Sequence, residues 1–167
     1  MQDGLQCIYE YRLLVGKRDA LAIPLTESES ERLQLLEAAL PAGIPTVDER
    51  NRATRLSAPL PVRLMFRGQL VVGSLRNASR QGLAMALDEP PGLGEVGVVH
   101  VSEPLHGIDY SFPGRVVARV LRGTIAIGWA FVGVPSQVRQ GNRSSGVWHS
   151  EDKAASLAPT RLAGSRR

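Results

Sequence analysis

The stretch VRLMFRGQLVVGSLRNASRQGLAMAL, residues 62–87, decides how this chain folds. In VRLMF the apolar residues Val62, Leu64 and Phe66 alternate with Arg63 and Met65, the period-2 signature of a strand with one face toward a core. Gly68 breaks the run, QLVVGSL resumes it, and the polar group Asn77, Ser79 and Gly82 breaks it again before GLAMAL. Asn and Ser side chains bond their own backbone and Gly admits positive φ, so this second break reads as a turn without any need for a ligand.

Outward from that stretch the same rhythm continues. VGVVHV, SFPGRVVARVL and TIAIGWAFV are further strand candidates, separated by PPGLGE, EPLHG and RG. Six short strands in about seventy residues, with no helical period between them, predict a mainly β fold in a small closed or nearly closed barrel. A compact sandwich is the structural rival.

Upstream, Thr26 and Glu29 form a capping-box pattern, in which the hydroxyl accepts a first-turn N–H and the carboxylate reaches back. Leu33, Leu36 and Leu40 follow at helical spacing, with Leu35 beside them, and Pro41 and Gly43 stop the run. This predicts an N-terminal helix over 27–40, packed on its own domain or that domain's edge, with a second subunit as the alternative. YEYRLLV, within residues 1–24, fits a strand or a helix start equally well. Residues 41–61 read as a linker with VDERNRATR at its centre, and after Val134-Pro135 periodicity vanishes. The expected organisation is an N-terminal extension (1–46), a barrel with its preceding arginine-containing linker (47–135), and a disordered basic tail (136–167).

Charge follows that division. The chain carries a net +4, and residues 136–167 alone hold six basic against two acidic residues, so the remainder is neutral. A nucleic-acid partner is therefore not expected of the folded part. One cysteine, Cys7, supports neither a disulfide framework nor a thiolate metal site. No stretch approaches a membrane span and no secretory signal pattern is present, which predicts a cytoplasmic protein without membrane attachment.

Several motifs fail on context. GLGEVG (92–97) matches the dinucleotide-binding glycine pattern, but it follows Pro90-Pro91 and runs into a strand, where that chemistry needs a helix N-terminus. His100, His106 and His149 lack paired ligand spacing, so no metal site is expected. Ser79 stands in no nucleophile elbow and has no base near it, and no catalytic residues are assigned.

Arg50, Arg52 and Arg55 are different: three cations just ahead of the barrel with no core role. Arginine bonds guanine's O6/N7 edge bidentately, stacks on purine faces and grips phosphate. With Asn77, Ser79 and Gly82 they would make a clamp for a guanine nucleotide.

Residues 50–133 resemble a PilZ domain, the bacterial receptor module for cyclic di-GMP. That family's signature is R-x-x-x-R ahead of the barrel, then [D/N]-x-S-x-x-G at a strand end. N77-A-S79-R-Q-G82 matches the second element in full, and SAPLPVRLMFRG, GRVVARV and IGWAF fit its flanks. The first element departs: with Arg55 as its second arginine, the first should stand at 51, which is Asn, flanked by Arg50 and Arg52.

The resemblance implies a six-stranded antiparallel PilZ-like β-barrel and a non-catalytic cyclic di-GMP receptor without a cofactor. Arg55, Asn77, Ser79 and Gly82 carry over as ligand residues, with Arg50 and Arg52 as substitutes for the missing arginine. Apart from the resemblance, the Leu33/Leu36/Leu40 face of the N-terminal helix is a natural contact surface, and a protein partner is expected there. The alternative is a degenerate PilZ domain that binds no nucleotide and acts as an interaction adaptor.

Overall fold

A computed structural model of the chain describes residues 4–45, 54–122 and 124–139. Two helices, α1 (Gly4–Val15) and α2 (Glu27–Ala39), precede seven strands. These are β1 (Thr54–Phe66), β2 (Gln69–Ala78), β3 (Gly82–Leu87), β4 (Val96–Glu103), β5 (Ile108–Arg122), β6 (Thr124–Phe131) and β7 (Ser136–Arg139).

Every strand pairing is antiparallel. The order β4-β1-β2-β3-β6-β5 closes through a β4–β5 pairing into a six-stranded barrel, and β7 adds to the first residues of β5. Closure removes the exposed edges that six short strands would otherwise present. The β1–β2 hairpin turns at Arg67 and Gly68, both at positive φ (47° and 74°), the two-residue turn whose twist suits adjacent strands.

Alternation places Val62, Leu64, Val71, Leu75, Leu83, Met85, Val99, Val101, Phe112, Ile127 and Trp129 in one continuous core. The core does not stop at the barrel wall. Leu5 and Ile8 of α1 and Leu33 and Leu36 of α2 join it, so the helices form a lid of the same domain. Tyr110 Oη donates to Gln6 Oε1 at 3.0 Å, and rings run from Tyr9 through Tyr110 and Phe112 to Phe131. Arg12 crowns that row, its guanidinium 5.6 Å from the Phe131 centroid and its Nη2 donating to Gly133 O at 3.0 Å.

The capping box of α2 forms as its residues predict. Glu29 N donates to Thr26 Oγ1, and Thr26 N donates to Glu29 Oε2 at 2.8 Å. Leu33, Leu36 and Leu40 are buried, whereas Leu35 points to solvent. The helix ends at Ala39, one residue short of expectation; it packs on α1 through a Glu10–Arg32 ion pair and on the turn just after α1 through Lys17–Glu29.

Besides the end of α2, two boundaries differ from the sequence reading, and the choice left open near the N-terminus falls to helix. Residues 4–15 are helix, because Leu5, Ile8 and Leu14 fall on one buried face, and a π-helical turn over Gly16–Ala20 ends it. The first strand begins at Thr54 and not Val62, since pairing with β2 continues past a bulge between Arg55 and Leu60. Residues 136–139, assigned to the tail, form β7 against β5. Trp148 and the rest of the expected tail lie outside the described residues.

Candidate functional site

The six expected ligand residues divide into those at one turn and those ahead of it. β2 reaches its end through a bulge between Leu75 and Asn77, after which Asn77 pairs with Ala84 and Ala78 with Leu83. Asn77 is buried against the sheet at 9% exposure, and Ser79 more deeply at 1%.

Ser79 builds the turn. Its Oγ accepts from Gln81 N and Gly82 N, both at 3.2 Å, and its own N–H donates to Gly82 O at 2.9 Å. A serine hydroxyl has one proton and two lone pairs. The proton goes elsewhere, to the carbonyl of Gly43 at 2.5 Å, thirty-six residues back in the chain.

Around this bond the segment 41–45, leaving the C-terminus of α2, is fastened to the turn. Arg80 N donates to Pro41 O at 3.2 Å, and Arg80 Nη1 to Glu37 O at 3.0 Å, an α2 carbonyl without a helical partner of its own at the helix end. Pro45 is buried. Ile44 lies over the outer face of β3 and β6, its Cγ2 3.3 Å from where a Cβ on Gly82 would stand and 3.6 Å from that point on Gly128.

Gly82 is therefore not the positive-φ turn residue expected. It does not appear among the glycines with positive φ; it is the first residue of β3, paired with Ala130. A Cβ there would collide with the carbonyl oxygen of Trp129 and crowd Ile44. Glycine serves here for close approach of two backbones.

Arg55 was expected in a linker and is in β1, directly opposite Asn77 in the register, with Thr54 opposite Ala78. Strand pairing thus brings position 55 to the motif turn. Arg50 and Arg52 lie outside the described residues. Connectivity still fixes the two ends of residues 46–53: Pro45 follows the segment held by Ser79 and Arg80, and Thr54 starts the pairing with Ala78.

The sequence reading missed Pro41, Gly43, Ile44 and Arg80. The first two had been read only as a helix stop, and Arg80 stands at an unspecified position of the motif. Contacts spanning thirty-six or more residues leave no local signal.

The two described histidines are engaged in small pairs, and His149 lies outside the described residues. His100 Nδ1 meets Ser111 Oγ at 2.8 Å, and His106 Nδ1 meets the buried Glu103 at 2.7 Å. Burial holds the His100 imidazole below its usual range, with the charge of Arg63 adding to it and Asp109 opposing. Among the described residues no group of three or more His, Cys, Asp or Glu is placed to hold a metal, and no helix is long and apolar enough to cross a membrane. The glycine pattern at 92–97 is a loop leading into β4, without a helix.

A family model described as PilZ domain matches residues 49–141, more than half of the chain. The match spans the motif turn, all six barrel strands and β7. No curated protein matches the chain.

Proposed function

The chain belongs to the PilZ domain family, and from that premise we propose that it is a non-catalytic receptor for cyclic di-GMP acting in second-messenger signalling. The observation that carries this reading is the convergence of two chain segments on one turn. Arg55 stands opposite Asn77, and the segment preceding the arginines is tied to Ser79, so both ends of the stretch holding Arg50 and Arg52 meet the N-x-S-x-x-G motif. In this reading Arg55, with Arg50 or Arg52, bonds guanine and phosphate, Asn77 lines the pocket, and Ser79 and Gly82 shape it. Binding draws residues 47–58 over the barrel and changes what the helices present to a protein partner. No cofactor takes part, and the protein works in the cytoplasm.

Isothermal titration of cyclic di-GMP into the purified protein tests this. Saturable binding is expected, weakened roughly ten- to a hundredfold in Arg55→Ala, the equivalent of one bidentate arginine contact. Unchanged affinity in that variant removes Arg55 from the site.

Two observations favour a second reading, a degenerate domain serving as an adaptor. Asn51 replaces the first arginine of the family pattern, and the Ser79 hydroxyl is already fully bonded within the chain. A flat titration of folded protein favours it.

A further inference from the structure

Ser79 is saturated by its own chain. Its hydroxyl donates to Gly43 O, with Gly82 O a longer second acceptor at 3.4 Å, and accepts from Gln81 N and Gly82 N, at 1% exposure. Any ligand that takes a hydrogen bond from this hydroxyl must first take the place of the Gly43 carbonyl. The site is thus not merely closed; it is occupied by a group of the same chemistry a nucleotide offers. Gly43 presents a carbonyl oxygen where guanine would present O6 or N7, or a phosphate its oxygens.

The apolar half of the contact has the same character. Gly82 pairs with Ala130 and Ala84 with Gly128, so the outer face of β3 and β6 beneath Ile44 has no side chain larger than a methyl. Such a depression accepts the branched Ile44 side chain now and a flat ring in its absence. Arg80 sets the seat of the segment by holding Pro41 O and Glu37 O.

We propose that residues 41–45 are an intramolecular competitor of cyclic di-GMP at the motif turn: nucleotide binding and the seating of the α2 exit on the barrel exclude one another. This rests on the receptor reading given above and adds its regulation. By reciprocity of linkage, whatever loosens the segment tightens the nucleotide by the same factor, and the nucleotide loosens the segment. The output would then be release of the α2 end. The α1 end stays stapled through Arg12 to Gly133 and through Gln6 to Tyr110, bonds that do not involve residues 41–45.

Two substitutions loosen the segment without touching Arg55, Asn77 or Ser79. Arg80→Ala removes the bond to Glu37 O, and Ile44→Ala empties the Gly82–Gly128 depression. Titration of cyclic di-GMP into wild type and both variants, with thermal melts to establish folding, is expected to show about three- to tenfold tighter binding in each variant, the worth of one net contact. Hydrogen exchange on the wild-type complex should show faster exchange over residues 40–45. A wild type that is silent while both variants bind would be the strongest support. Equal or weaker binding in both variants overturns the competition alone and makes 41–45 a fixed wall of the site. No binding in any of the three folded proteins overturns the receptor reading, and the competition with it.

Discussion

Two glycine-bearing corners of this barrel look alike as sequence and differ as structure. NASRQG (77–82) and GLGEVG (92–97) each join an apolar run to a strand, and each matches a ligand-binding pattern. In the second, Leu93 is 66% exposed and the Cβ position of Gly94 has nothing within 4 Å. Glu95 pairs there with the exposed side chain of Arg67. In the first, Ser79 and Gly82 are buried beneath a segment from another part of the chain. One is a connection between strands; the other is a junction between helices and barrel. Polar residues in a turn become informative when they are buried, since burial obliges each donor and acceptor to have a partner.

The contrast can be broken at its glycines. Gly82→Ala forces the Trp129 carbonyl and Ile44 to move, and should cost about 2–3 kcal/mol in urea unfolding, the range of overpacking in a closed site. Gly94→Ala meets no atom and carries only the strain of φ +80°, about 1 kcal/mol. Equal costs would erase the distinction. At the polar positions, Ser79→Ala leaves Gly43 O, Gln81 N and Gly82 N without their partner, and a loss of about 2 kcal/mol is expected. Glu95→Gln, by contrast, gives up an ion pair whose Arg67 side chain is 74% exposed, and should shift stability by less than about 0.5 kcal/mol.

Much of the barrel was readable because strand periodicity is local. Val62, Leu64, Leu83 and Met85 announce their inward face within a few residues of themselves, and all are buried. The capping box at Thr26 and Glu29 is equally local. What could not be read depended on distant partners. The start of β1 at Thr54 is set by pairing with Ala78, not by the apolar pattern of its own residues, which fades upstream of Val62. β7 is a strand because Tyr110 and Ser111 supply a pairing edge, although its residues Ser-Gln-Val-Arg have little strand character. At the site, Asn77, Ser79 and Gly82 were identifiable from their spacing. Their roles were not, because Gly82 answers to Trp129 and Ser79 to Gly43.

The smallest expected effects come from titration, and they separate the helical lid from the barrel wall. The hydrogen bond from Lys17 holds the Glu29 carboxyl below its usual range, with the Thr26 backbone N–H adding to it. A depressed carboxylate stabilises the fold above its unfolded pKa, and that contribution disappears as pH falls through the lower folded value. The loss should therefore begin below about pH 4.5, where Glu29→Gln flattens the stability curve.

His100, on β4, acts earlier in an acid titration. Burial and the Arg63 charge depress its pKa, so below the usual value of about 6.5 the unfolded chain takes up a proton that the folded chain resists. Stability should fall as pH drops from about 7 through about 6. His100→Asn, which keeps a hydrogen-bonding partner for Ser111, should remove that slope and leave the Glu29 slope in place. Melting temperatures of the two variants from about pH 2.5 to about pH 7.5 check both assignments. A slope between 7 and 6 that survives in His100→Asn would place its origin in another group.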